Sequence, residues 1–188
     1  MWGTWPTFES WTWPGWEGKD ITVEVYSRET PVSLFLNDQL VGQQPTKEMK
    51  ATFTLPYSPG TLRAEAGAAK TTLATAGSPS ALRLTADRSL LKANGQDLAF
   101  VTVEVVDSNG QGGPIADTKL TFKVAGQGTL LAAGNADIKD EDPYFDATHR
   151  AWKGRALCVV RSAGKPGTIR LTVTSDSLKP ATLTIKAQ

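Results

Sequence analysis

One histidine, one cysteine and 19 carboxylates are the groups in this 188-residue chain that could do chemistry. A Ser-His-Asp or Cys-His arrangement has a single base available, His149, which lies in the polar stretch Asp146-Ala147-Thr148-His149-Arg150. No serine in a strand-to-helix elbow accompanies it, so the expectation is a solvated loop histidine. Cys158 sits in Ala156-Leu157-Cys158-Val159-Val160 and reads as a buried strand thiol, with nothing nearby to lower its pKa. A zinc site of the Cys/His type needs three or four such ligands, which two residues do not supply. No Gly-x-Gly-x-x-Gly follows a strand into a helix, so nucleotide-binding loops are not expected.

Glycosidic hydrolysis uses two carboxylates facing each other across a cleft, about 5–9 Å apart. Most acids here fall in turns or on outward strand faces, Glu24 and Glu104 among them, where a solvated charge is the default. The cluster Asp137, Asp140, Glu141, Asp142 and Asp146 offers the oxygen ligands Ca²⁺ takes, but its spacing fits no EF-hand. A plain solvated loop is the favoured reading, so no metal, cofactor or catalytic residue is assigned.

Aromatic side chains carry the other functional signal. Residues 2–16 hold five of the six tryptophans, in Trp-Gly-Thr-Trp-Pro…Trp-Thr-Trp-Pro-Gly-Trp. Three readings stand side by side: a stacking platform for sugar rings, an apolar patch made to meet a larger neighbour, or core folded back onto the following sandwich. An exposed patch of that size is uncommon on a self-contained monomer. Trp11, Trp13 and Trp16, together with Tyr144 and Trp152, are therefore the candidate carbohydrate or interdomain contacts. Trp11, Trp13 and Trp16 are expected to pack on the first sandwich, and Trp2 and Trp5 to be mobile or self-associating.

The elements that must position these residues are strands. Period-2 alternation recurs along the chain, whereas helical periodicity is hard to find. Ile21, Val23 and Val25 share one face, and Val32, Leu34 and Leu36 repeat the pattern before Asn37-Asp38, a pair that tolerates the positive φ of a tight hairpin. About six short strands fit between residues 19 and 76. Gly77-Ser78-Pro79-Ser80 reads as a linker, and about seven strands follow it. The expected fold is all-β: two immunoglobulin-like β-sandwich domains in tandem, with a Trp-rich lead-in at 1–18, a small sandwich at 19–77 and a larger one at 78–188. The Cys…Trp…Cys signature of antibody domains is missing. Residues 134–152 form a long irregular insertion, which at that length is usually functional or involved in docking.

Charge narrows the partners. Twenty basic residues against 19 acidic ones give a net charge of +1, and no basic stripe marks a nucleic-acid surface. No apolar run approaches the ~20 residues that span a bilayer. The opening residues lack the basic patch and apolar stretch of a signal peptide.

Several motifs together resemble a known family. Trp11-Thr12-Trp13-Pro14-Gly15-Trp16-Glu17-Gly18, Ile21 to Ser27, Val32 to Asn37 with Gly42, and Pro56 to Leu62 are similar to the module after the catalytic barrel in bacterial glycoside hydrolase family 2 β-galactosidases. Leu84 to Asp87, Ala93 to Glu104, Gly134-Asn135-Ala136-Asp137 and Trp152 to Leu157 are similar to the C-terminal module of those enzymes. Two departures stand out. Asp38 replaces the usual glycine of the first hairpin, and Ala136 replaces the second glycine of a Gly-Asn-Gly-Asp motif. The resemblance implies a parent retaining glycosidase whose catalytic glutamates lie in an upstream barrel, so none is carried over to this chain. It also implies that the catalytic barrel is the partner, and that the parent is exported to the periplasm or cell surface. The alternatives from other classes are an autonomous carbohydrate-binding module and a cell-surface adhesin fragment. Self-association through the Trp segment is a further expectation.

Overall fold

The computed structural model describes residues 7–188. Trp2 and Trp5, and the expectation attached to them, lie outside the described residues. All regular structure among those residues is β, and the chain divides into two compact units, Met1–Ala76 and Gly77–Gln188.

The first unit holds β1 (Asp20–Tyr26), β2 (Val32–Leu36), β3 (Gln39–Gln44), β4 (Lys50–Pro56), β5 (Thr61–Ala66) and β6 (Ala69–Ala74). β1 pairs antiparallel with β4, and the other four form a sheet in the order β3-β2-β5-β6. The alternation read from sequence sets which faces meet. Ala51, Phe53 and Leu55 of β4 point inward, onto Val32 and Leu34 of β2 and Leu62 and Ala64 of β5, while Thr52 and Thr54 point to solvent. Each fully buried Leu, Val or Phe side chain in such a face contributes roughly 1.5–3 kcal/mol. The β2–β3 connection is the expected tight turn, with φ of +51° at Asn37 and +64° at Asp38.

The second unit holds β7 (Ala81–Ala86), β8 (Leu90–Leu91), β9 (Leu98–Val106), β10 (Lys119–Gly126), β11 (Gly128–Gly134), β12 (Thr148–Arg150), β13 (Arg155–Ser162), β14 (Gly167–Thr174) and β15 (Ala181–Ala187). A five-stranded sheet, β12-β10-β14-β15-β8, and a four-stranded sheet, β11-β13-β9-β7, enclose one core. Val101, Val103 and Val105 face Leu120, Phe122, Ile169, Leu171 and Val173 across it. The all-β sandwich architecture is as expected.

The 134–152 segment differs from its reading as wholly irregular. It contains β12, whose central residue His149 pairs in register with Leu120 of β10 and is only 1% exposed. The solvated-loop expectation for His149 is thus corrected. The strand carries its imidazole inward at the position where an apolar residue would ordinarily stand. Cys158 is fully buried, and burial pushes its thiol up to about 12, beyond the range in which a thiolate forms at neutral pH.

Candidate functional site

The Trp segment is stitched to the first unit by a hydrogen-bonded network. Trp11 is 2% exposed and belongs to the core. Its indole Nε1 donates to Ser58 O at 3.1 Å, and its ring meets Tyr57 edge-on. The Tyr57 hydroxyl accepts from Trp13 N at 3.2 Å and donates to Trp11 O at 3.3 Å. Thr75 Oγ1 donates to the same carbonyl at 2.7 Å, and Thr12 Oγ1 accepts from Ala76 N at 2.8 Å. These bonds satisfy the polar groups that burying the segment would otherwise leave unpaired. Residues 11–13 therefore form a strap fixed to both Tyr57 and the end of the unit.

Trp13 is half-buried against the same core, with Nε1 donating to Ser10 O at 3.1 Å. Trp16 turns outward. It is 47% exposed and carries the Lys19 ammonium over its ring at 5.5 Å. The expectation that all three indoles pack on the sandwich holds for Trp11 and Trp13 and not for Trp16. Gly15 and Gly18, with φ of +80° and +75°, turn the chain sharply on either side of it.

Beside the strap lies a groove of about 570 Å³, lined by Phe8, Trp13, Trp16, Tyr26, Glu24 and the apolar face of β1. Glu24 is one of its titratable groups, and both carboxylate oxygens are engaged. Oε1 accepts from Lys50 Nζ at 2.8 Å and Oε2 from the Tyr26 hydroxyl at 2.6 Å. The hydrogen bond from Lys50, followed by that from Tyr26, holds its carboxyl below the usual carboxylate range. A glycosidase general acid needs the opposite, a carboxyl raised so that it keeps its proton near neutrality. In the second unit Glu104 is likewise paired on both oxygens, with Arg155 on Oε1 and Arg83 on Oε2. Both were expected to be plain solvated charges. Each is instead a mostly covered partner in an ion pair.

The remaining candidates lie in the second unit. Tyr144 is 70% exposed, yet its ring covers Gly134 so closely that a Cβ there would lie 2.9 Å from it. Its carbonyl accepts from Ala133 N at 2.7 Å. Trp152 is half-buried, with the Lys153 ammonium 4.6 Å above its ring. Ala136, which stands where the family motif has glycine, has no positive φ. Asn135, to which sequence reasoning gave no role, organises this insertion. Asn135 Nδ2 donates to Asp140 Oδ2 at 2.6 Å and to Arg150 O at 3.0 Å, and its Oδ1 accepts from Asp137 N at 2.8 Å. Asp140, Asp142 and His149 bring one potential ligand atom each within 4.8 Å of one another. The signal available in the sequence was the Asn135–Asp137 pair, since asparagine bonding a backbone amide two residues on is a turn-former.

Comparison with known proteins places the chain. Residues 82–184 match the glycoside hydrolase family 2 C-terminal domain 5, which is more than half of the chain, and residues 18–72 match a domain of unknown function (DUF4982). The chain belongs to glycoside hydrolase family 2, in its C-terminal region. This family 2 region is 35% identical to Beta-galactosidase BoGH2A of Bacteroides ovatus, over 96% of the chain and 22% of that protein. A Beta-glucuronidase of Formosa agariphila is 29% identical over 90% of the chain and 18% of its own length. The crystal structure of a family 2 member from Bacteroides cellulosilyticus superimposes with a TM-score of 0.91 at 33% identity, covering 96% of the chain and 24% of that one. The chain thus spans about a fifth to a quarter of the family 2 relatives it matches. Among the described residues no helix is long and apolar enough to cross a membrane.

Proposed function

We propose that this chain is a non-catalytic scaffold of a family 2 glycosidase that acts on β-galactosides or related glycans, and that its sandwiches buttress the catalytic barrel of that enzyme. The strap carries this reading. Trp11 is locked inside the first unit by Tyr57, Ser58 and Thr75, so the polypeptide ahead of it is held at one defined point on the sandwich. An indole 2% exposed offers no face to a sugar ring. Phe8 and Trp16, at 40% and 47% exposure, rim the groove as an apolar docking edge suited to the barrel. The engaged oxygens of Glu24 and Glu104 support the absence of an acid–base pair. Export of the parent enzyme belongs to the same proposal.

A specific observation favours one second reading, the autonomous carbohydrate-binding module: Trp16 and Tyr26 are exposed aromatics on one groove. The test of the scaffold reading is hydrolysis. The purified chain is expected to leave a chromogenic β-galactoside untouched above a contaminant-controlled blank. Turnover abolished by Glu24→Gln or Glu104→Gln would overturn it.

A further inference from the structure

We propose that Asp140, Asp142 and His149 form a site for one divalent ion of the borderline class that Zn²⁺ represents, clipping the insertion onto β12.

Two independent observations meet here. The first is geometric: one ligand atom from each of the three residues lies within 4.8 Å of the others. The second is the state of the imidazole. The His149 side chain is fully buried, and neither Nδ1 nor Nε2 has a hydrogen-bond partner. Nδ1 lies 4.0 Å from Asp140 Oδ2, too far for a hydrogen bond yet close enough for one ion to bridge the two atoms. Burying an imidazole with both nitrogens unpaired is costly. An ion between Nδ1 and the carboxylates takes up the lone pair, and two carboxylates balance its double charge.

The surroundings hold the first carboxylate in place. Asn135 Nδ2 donates to Asp140 Oδ2 at 2.6 Å, and Asp142 N donates to Asp140 Oδ1 at 3.0 Å. Outer partners of this kind orient a metal ligand before the ion arrives. Asp142 is exposed and has room to swing. Ligands bound to Zn²⁺ at about 2.0–2.1 Å stand about 3.4 Å apart, so closure asks roughly an ångström of movement from it.

The donor set selects the metal. Ca²⁺ takes six to eight oxygens and has little use for an imidazole, whereas one nitrogen and two carboxylates suit Zn²⁺ or Co²⁺. The set mixes the two patterns, since a Cys/His zinc motif lacks its carboxylates and an oxygen-only Ca²⁺ loop lacks its imidazole.

The experiment uses the full chain, stripped with a chelator and titrated calorimetrically with Zn²⁺, with Co²⁺ absorption reporting nitrogen ligation. One ion per chain is expected, with a rise in melting temperature and with Zn²⁺ preferred to Ca²⁺. Asp142→Asn, at an exposed position, should weaken binding more than about tenfold. His149→Leu should abolish it and leave the metal-free chain at least as stable, because an unpaired polar ring is removed. Absence of saturable Zn²⁺ binding, equal binding by Asp142→Asn, or a preference for Ca²⁺ would each overturn the proposal.

Discussion

Trp11 and Tyr57 meet edge to face, ring centroids 5.1 Å apart at an interplanar angle of 66°. The contact places the tyrosine hydroxyl where it bonds the backbone on both sides of Thr12, at Trp11 O and Trp13 N. One aromatic pair thereby supplies both the apolar burial and the polar satisfaction that the strap needs.

Tyr57→Phe should keep the ring contact and lose the hydroxyl bonds, costing about 1–2 kcal/mol. Trp11→Ala should cost about 3–5 kcal/mol, the range for removing a buried large aromatic. Urea unfolding followed by Trp emission distinguishes them. Equal small losses for both would mean that the strap is not part of the core.

The first hairpin makes a second prediction. Asn37 donates to Pro59 O at 3.2 Å and accepts from Thr61 N at 2.8 Å, so its side chain fills the space beside Gly60. A Cβ on Gly60, at φ +138°, would lie 1.8 Å from Asn37 Oδ1. Gly60→Ala should therefore cost about 2–3 kcal/mol through lost bonds and strain. Asp38→Gly should act oppositely, stabilising by about 0.5–1 kcal/mol, since φ +64° suits glycine and the Arg63–Asp38 pair at 3.5 Å is exposed. Thermal melts of the two variants should move in opposite directions.

Much of this was legible from alternation, and where it failed the causes are local. β4 and β9 alternate cleanly because one face is core and the other is not. β11 alternates poorly because its register shifts between Leu130 and Ala132, which breaks the period. β12 was missed because its single inward residue is His149, which a hydrophobicity count assigns to solvent. The turn chemistry was more readable. In Asp107-Ser108-Asn109-Gly110, Asp107 Oδ1 accepts from Asn109 N and Gly110 takes φ +78°, the chemistry of a tight turn. Trp152-Lys153-Gly154-Arg155 is a second tight turn, with Gly154 required because a Cβ would lie 2.2 Å from Gly113 O. The motifs shared with family 2 thus include turn-formers at Asn37, Asn135 and Gly154. Which indoles face inward was not legible, because that depends on where Tyr57 and Thr75 lie in space.

Asp107 gives a pH prediction for the second unit. Its carboxylate is buried and accepts from the amides of Gly77, Gln111 and Asn109. The bond from Gly77 N, then that from Gln111 N, holds its pKa below the ordinary 3.8. A carboxyl with a depressed folded pKa stabilises fully above its unfolded value and loses that contribution as pH falls through the folded one. The second unit should therefore lose stability progressively below about pH 4. Asp107→Asn should be less stable at neutral pH, with a flatter decline in acid. Parallel acid profiles for the two proteins would contradict this.

The scaffold reading and the carbohydrate-binding reading part at the groove of Trp13, Trp16 and Tyr26. A titration of Trp emission with galacto-oligosaccharides, repeated on Trp16→Ala, tests the central claim most directly. An account in which Trp11 is core and the groove edge meets a catalytic barrel predicts emission unchanged by sugar in both proteins. A saturable shift that Trp16→Ala removes while the urea midpoint is retained would contradict it and make the groove a glycan site.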